Sequence, residues 1–205
     1  EFAARDAFWS VRVVDDAAPE TDDLCSLLRN FGDRHVAART DVDPRRRVVE
    51  FEFVTAPAPV AGVLGPGRVL RVKRVNLADG EPFAVVTVWC PAALGQKLSM
   101  TDVEQHPFYE LVDRELHGAT QTIGADSAEP ADAELLGVPV GSPLLRCRRV
   151  TTDTDGRPVL LSEHLFPAHR TEFVVDIPSE QVGEAMVGIN VEEIPQPHRL
   201  AERGW

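Results

Sequence analysis

The alternation of apolar and polar positions in this chain is mostly that of β-structure. From Val48 to Val54, Val49, Phe51 and Phe53 alternate with Val48, Glu50 and Glu52, the two-residue period of a half-buried strand. Phe8–Val14 alternates similarly, with Phe8, Ser10, Arg12 and Val14 on one face. His35–Thr40 reads as a strand before a turn at Asp43-Pro44. Helical spacing is sparser. Thr21 or Asp22 is placed to cap a helix through Leu24, Leu27 and Leu28 that stops at Gly32, and Pro57–Leu64 reads as a short helix closed by Gly65-Pro66-Gly67. Thr101 begins a short acidic turn. Pro107 opens a helix with Phe108, Leu111, Val112 and Leu116 on one side, capped by Gly118. Gln121–Ala128 is a strand, and Pro130–Leu136 a helix ended by Gly137.

Two further stretches share one pattern. Arg74-Val75 precedes Asp79-Gly80-Glu81-Pro82, an apolar run and Pro91-Ala92; Arg149-Val150 precedes Asp155-Gly156-Arg157-Pro158, an apolar run and Pro167-Ala168. Asp-Gly between strand-forming runs signals a tight hairpin, because such turns need residues that tolerate positive φ. A Pro just after the turn suits the start of an outgoing strand, where no ladder N–H is needed. The sequence therefore predicts two related hairpins, at about Val69–Trp89 and Leu144–Phe166, back to back in one sheet. A last strand falls at Phe173–Ile177, and the pattern fades from Ser179 through Pro195-Gln196-Pro197. Many strands with a few helices and no regular β–α alternation imply an α+β domain with a mainly antiparallel sheet. The expected layout is an N-terminal extension over residues 1–23, a domain over 24–178 and a tail over 179–205.

Composition narrows the partners. With 205 residues, 43% hydrophobic and 26% charged, the chain has the make-up of a globular domain with a real core. A formal net charge of −12 is poorly suited to binding nucleic acid directly, since that affinity comes mainly from cations neutralising phosphates. The dense basic cluster Arg45-Arg46-Arg47 reads as a solvated turn. No apolar run is long enough to span a bilayer. Cys25, Cys90 and Cys147 are scattered without metal-ligand spacing, which suits reduced thiols in a cytoplasm. Arg so far outnumbers Lys, found only at 73 and 97, that a GC-rich bacterial genome is suggested by correlation. Opening on Glu1-Phe2 without Met, the chain reads as part of a longer one.

The segments "VVEFEFVTAPAPVAGVLG", "RVNLADGEPFAVVTVWCPAAL", "DVEQHPFYELVDRELHG" and "ADAELLGVPVGSPLLRCRRVTTDTDGRPVLLSEHLFPAHRTEFVVD" resemble the UTRA domain, the effector-binding module of GntR-type, HutC-subfamily transcription regulators. Leu135–Leu145 is the most family-specific stretch. The resemblance covers roughly Val48–Asp176 and implies a chorismate-lyase-like fold with internal pseudo-symmetry. It also implies a dimer that binds a small metabolite without a cofactor and acts on DNA only through a separate winged helix-turn-helix domain, absent from this sequence; the chain is then either cut from such a regulator or a stand-alone UTRA protein.

Family members that take sugar phosphates carry polar pocket residues at positions that the hairpin landmarks match to Arg74, Asn76, Val86, Leu160 and Phe166. Only Arg74 keeps its charge, and an arginine can hold a carboxylate or phosphate through two parallel hydrogen bonds. Val86, Leu160 and Phe166 offer nothing to a sugar hydroxyl, so the expected effector is mostly apolar with an anionic group; filling core is the alternative role for these three. Strand alternation sets Ser162 and His164 beside Leu160 and Phe166. His164 is a candidate hydrogen-bond donor or pH-responsive group, though strand histidines are often structural. Tyr109 is expected to pack its helix onto the sheet. His164 and His169 lack a third ligand for a metal. Two other functions fit the same scaffold. A chorismate-lyase-like enzyme would use Glu163 as its catalytic glutamate, but its anchoring arginine falls nearer Val72; a ligand-free pairing module would leave the sheet face flat and exposed.

Overall fold

The computed structural model describes residues 8–13 and 44–176, with side-chain surroundings for residues 45–173. The expected helix at Leu24–Gly32, the strand at His35–Thr40 and the tail from Ser179 lie outside the described residues. The chain divides into two compact units, Trp9–Val174 and Glu1–Phe8 with Val175–Trp205. Of the second unit only Phe8, Val175 and Asp176 are described.

The larger unit is built on a six-stranded sheet in the order β2-β3-β4-β7-β6-β5, every neighbouring pair antiparallel. Its strands are β2 (Pro44–Thr55), β3 (Arg68–Ala78), β4 (Glu81–Pro91), β5 (Leu116–Ser127), β6 (Pro143–Asp153) and β7 (Pro158–Pro167). Five short helices join them: α1 (Ala58–Leu64), α2 (Ala92–Gly95), α3 (Met100–Gln105), α4 (Phe108–Leu111) and α5 (Pro130–Leu136). A separate two-stranded sheet pairs β1 (Phe8–Val13) with β8 (Thr171–Asp176).

The order of strands reads the same from both ends. One half is β2-α1-β3-β4, the other β5-α5-β6-β7, and they meet where β4 pairs with β7 from Val85↔Leu165 to Trp89↔Leu161. The two predicted hairpins are therefore neighbours along the centre of one sheet. Each inter-strand helix packs on the other half's inner strand, α1 on β7 and α5 on β4. On that face Val75 and Val85 meet Ala133 and Leu136, while Val69 and Leu161 meet Val60. The opposite face carries the larger core, where Leu70, Val72, Val86 and Val88 pack with Val103, Phe108 and Val112 from the α3–α4 region.

The hairpin turns differ. Asp79 (φ 51°) and Gly80 (φ 90°) both adopt positive φ, as a two-residue primed turn requires. In the second hairpin only Gly156 (φ 75°) does, and the Asp153 carboxylate accepts the backbone N–H groups of Asp155 and Arg157 to close a longer turn.

Arg45-Arg46-Arg47 is not a turn but the start of β2, with Arg46 half-buried. A bulge in β2 between Val48 and Glu50 rotates the alternation, so that Val48, Phe51 and Phe53 reach the core while Val49 is exposed. The backbone N–H of Val48 is taken up there by Glu104 on α3 (3.2 Å). Lastly, the helix opened by Pro107 ends at Leu111 and does not reach Gly118. Val112 is already extended, and Leu116 and Gly118 belong to β5, where pairing with Asp153 and Thr152 of β6 outweighs local helix preference. The acidic turn at Thr101 is helix α3, started by a capping box: Ser99 Oγ accepts from Asp102 N and Asp102 Oδ2 from Ser99 N.

Helix α2 sits so close to β3 that a Cβ added at Gly95 would lie 2.5 Å from the Leu70 Cβ, an atom fixed to the strand and fully buried. Overpacking of this kind costs about 1–3 kcal/mol, so Gly95→Ala is expected to lower the urea midpoint by that amount of stability without changing the slope.

Candidate functional site

On the face that carries α3 and α4, the sheet floors a cavity of about 510 Å³. Both hairpins wall it: Arg74 from β3, Val86 and Val88 from β4, Arg149 and Thr151 from β6, and Leu160, Ser162 and His164 from β7. Phe108 and Tyr109 of α4 close one side. The rim is β5, from Leu116 through the exposed His117, Gly118 and Ala119 to Gln121 and Ile123.

Alternation along β7 delivers Leu160, Ser162 and His164 to this cavity, and the same period sends Glu163 to the other face of the sheet. Glu163 there shares a groove with Thr87, Trp89, Lys73 and Asp132. Of the residues expected to form a site, the structure brings together Arg74, Val86, Leu160, Ser162 and His164. Phe166 is fully buried beyond the cavity wall, stacked on His164 (ring centroids 6.1 Å apart, 12° between planes) and edge-on to Phe173. Asn76 is buried one pleat further along β3, outside the lining, with no hydrogen-bond partner for its Oδ1 among the described residues.

Two cations stand among apolar and neutral polar groups in this space. Arg74 is 2% exposed, and its Nη1 donates to the Val103 carbonyl (3.1 Å) while Nε has no partner among the described residues. Burial, with a smaller push from Arg46, lowers its pKa to about 10. Arg149 is 8% exposed and gives Nε and Nη2 to one oxygen, Gln121 Oε1, at 3.1 and 2.8 Å; burial lowers it to about 9. Between them stands His164, 7% exposed, its Nε2 3.1 Å from Ser162 Oγ. Burial and the fields of Arg149 and then Arg74 push it down to about 3, so the imidazole is neutral at physiological pH. Two buried guanidinium groups and a neutral imidazole form an electropositive surface suited to an anion.

Arg149, Gln121 and Tyr109 were not among the residues expected at a site. A signal for Arg149 existed, because it stands in the repeat where Arg74 stands. Gln121 and the rim residues lie on a strand whose register no local pattern reveals. Tyr109 lines the cavity as well as sitting on α4. Among the described residues no group of three or more His, Cys, Asp or Glu is placed to hold a metal ion. Cys90 and Cys147 are buried free thiols, and desolvation pushes each up to about 12. No helix among the described residues is long and apolar enough to cross a membrane.

The model of the UTRA domain matches residues 39–172. The chain belongs to the UTRA domain family. Its six-stranded antiparallel sheet is the chorismate-lyase-like fold of that family, and the domain is an effector-binding domain of the kind found in transcription regulators. The HTH-type transcriptional regulator Rv0792c of Mycobacterium tuberculosis is 29% identical over 144 residues, covering 67% of this chain and 54% of that protein. A solved protein taken to be a transcriptional regulator, from Streptomyces coelicolor, is 32% identical with a TM-score of 0.59, covering 67% of this chain and 96% of that one. The ligand-binding domain of a GntR-family protein from Bordetella bronchiseptica shares the fold at 23% identity and a TM-score of 0.61, over 66% of this chain and 90% of that one. A likeness of another kind is to the pyridoxal 5'-phosphate synthase subunit PdxS of Nocardia farcinica, 46% identical over 89 residues. It covers 38% of this chain and 26% of the synthase subunit. The UTRA chain thus spans about a quarter of one of these curated relatives and about half of the other.

The depressed His164 makes a testable statement about acid stability. At pH 7 it is neutral folded and largely neutral unfolded. As pH falls below about 6.5 the unfolded chain takes up a proton that the folded one refuses until about 3, so stability is lost progressively across that window. His164→Gln is expected to flatten the acid limb of a stability-versus-pH curve between those values, and the His164 imidazole should show no NMR titration at pH 5.

Proposed function

We propose that this UTRA domain is the sensor of a bacterial GntR-type, HutC-subfamily regulator and that it binds a mostly apolar metabolite carrying an anionic group. The observation that carries this reading is Arg74: a guanidinium almost wholly removed from water, with one carbonyl as acceptor and an Nε without a partner among the described residues, in the wall of a cavity. Burying a charged group with its hydrogen bonds half satisfied is costly, and an anion in the cavity offsets that cost. Val86, Val88, Phe108 and Leu160 supply apolar surface and no partner for sugar hydroxyls. The reading extends to a cytoplasmic homodimer that acts on DNA through a separate winged helix-turn-helix domain, with no cofactor and no membrane partner.

Two other readings fare less well. A lyase on this scaffold would need Glu163 at the reacting centre, and that carboxylate lies on the face of the sheet away from the cavity; an assay for pyruvate release from chorismate should show none. A ligand-free pairing module does not account for a 510 Å³ space lined by a buried cation.

Thermal-shift measurements against aromatic and aliphatic carboxylates and phosphates test the main reading. A ligand at about 100 times its Kd should add about 2.7 kcal/mol to stability. Losing a charge-assisted contact worth about 1.5–3 kcal/mol, Arg74→Ala should bind the same acids roughly 10- to 100-fold more weakly. Equal stabilisation of wild type and variant by anionic hits would remove Arg74 as the anchor.

A further inference from the structure

The internal symmetry of the sheet assigns a partner to Arg74. Pro82 and Pro158, like Pro91 and Pro167, are 76 positions apart (158−82, 167−91) and occupy matching places in β4 and β7. The same spacing relates Val86 to Ser162 and Val88 to His164 across the β4–β7 seam. Arg74 pairs with Val86, and Arg149 pairs with Ser162. The two arginines are therefore pseudo-two-fold equivalents; their spacing of 75 (149−74) is one short because the second hairpin turn is longer. Both are buried, and both point to the same cavity.

Their strands stand three interstrand steps apart, roughly 14 Å at about 4.8 Å per step. The floor between them is Val86, Val88, Ser162 and His164. Gln121 holds the Arg149 guanidinium through two of its nitrogens, as Val103 holds that of Arg74 through one, so both heads are fixed in place. A ligand with one acidic group would reach only one of these two guanidinium groups.

We propose that the effector is a dianion, a molecule with an acidic group at each end of a mainly apolar middle, held by Arg74 from one half of the fold and Arg149 from the other. The proposal rests on the anion-sensing reading above and deepens it. Such a ligand lies across the seam, its ends on β3 and β6 and its middle over β4 and β7. Ser162 and the neutral His164 interrupt the apolar floor on the second half only, and a hydroxyl or carbonyl there would find a hydrogen-bond partner.

Calorimetric titration with succinate, adipate and suberate, each against the monoacid of equal length (butyrate, hexanoate, octanoate), tests the idea. The best diacid should bind wild type at least about tenfold more tightly than its monoacid, the worth of one added charge-assisted contact. Arg149→Gln should collapse that ratio to near unity, whereas Arg74→Gln should weaken both ligands. Gln121→Glu, which keeps Arg149 hydrogen-bonded but supplies an internal carboxylate, should collapse the ratio too and decides the matter if Arg149→Gln does not fold. Equal binding of diacid and monoacid by wild type, or a preference that survives Gln121→Glu, overturns the two-anchor proposal and leaves the single-anchor reading standing. If no acid in either series binds the folded protein, both fall.

Discussion

The pairing of β4 with β7 is the constraint on which the rest of this domain depends. It joins two three-stranded halves that share no other strand pairing among the described residues, and its register decides which side chains meet. Side chains alternate between faces with a period of two, so a slip of one residue would exchange the faces of β7. Leu160, Ser162 and His164 would then lie under α1 and α5, and Glu163 would enter the cavity. The register is held by burial on both sides: Val86 and Val88 belong to one core, Val85 and Leu161 to others on the opposite face. Each of α1 and α5 packs on the inner strand of the half it does not belong to, which ties the seam from above.

Fixing that seam brings two arginines into one space where burial works against both. Desolvation lowers Arg74 and Arg149 well below the usual guanidinium value, and burial, aided by their fields, holds His164 neutral. Buried cations are a poor way to gain stability, since the loss of hydration exceeds what a few neutral acceptors return. Their presence is easier to understand as preorganisation. The groups that would receive an anion are already dehydrated and aimed, so less reorganisation remains to be done on binding.

The same asymmetry that breaks the repeat gives the cavity its character. The first half contributes Val86 and Val88 where the second contributes Ser162 and His164. One side of the floor is therefore apolar and the other polar, while the flanking arginines remain matched. The outer wall is β5, an edge strand largely exposed in the described unit, joined to the rest only through β6.

The sequence by itself determined the two hairpins, the strand alternation that groups Leu160, Ser162 and His164, α1 and α5, and the kinship with UTRA domains. All of these are local: turn chemistry at Asp79-Gly80 and Gly156, a two-residue period, or prolines that start helices. Tertiary structure decided what depended on partners distant in the chain. Pairing with β6 took Leu116 and Gly118 from the expected helix into β5, and a bulge exchanged Val49 for Val48 at the core. Only the folded sheet brought Arg149 and Gln121 opposite Arg74, because strand order and register follow from burial summed over the whole sheet, and no short stretch of sequence carries that sum.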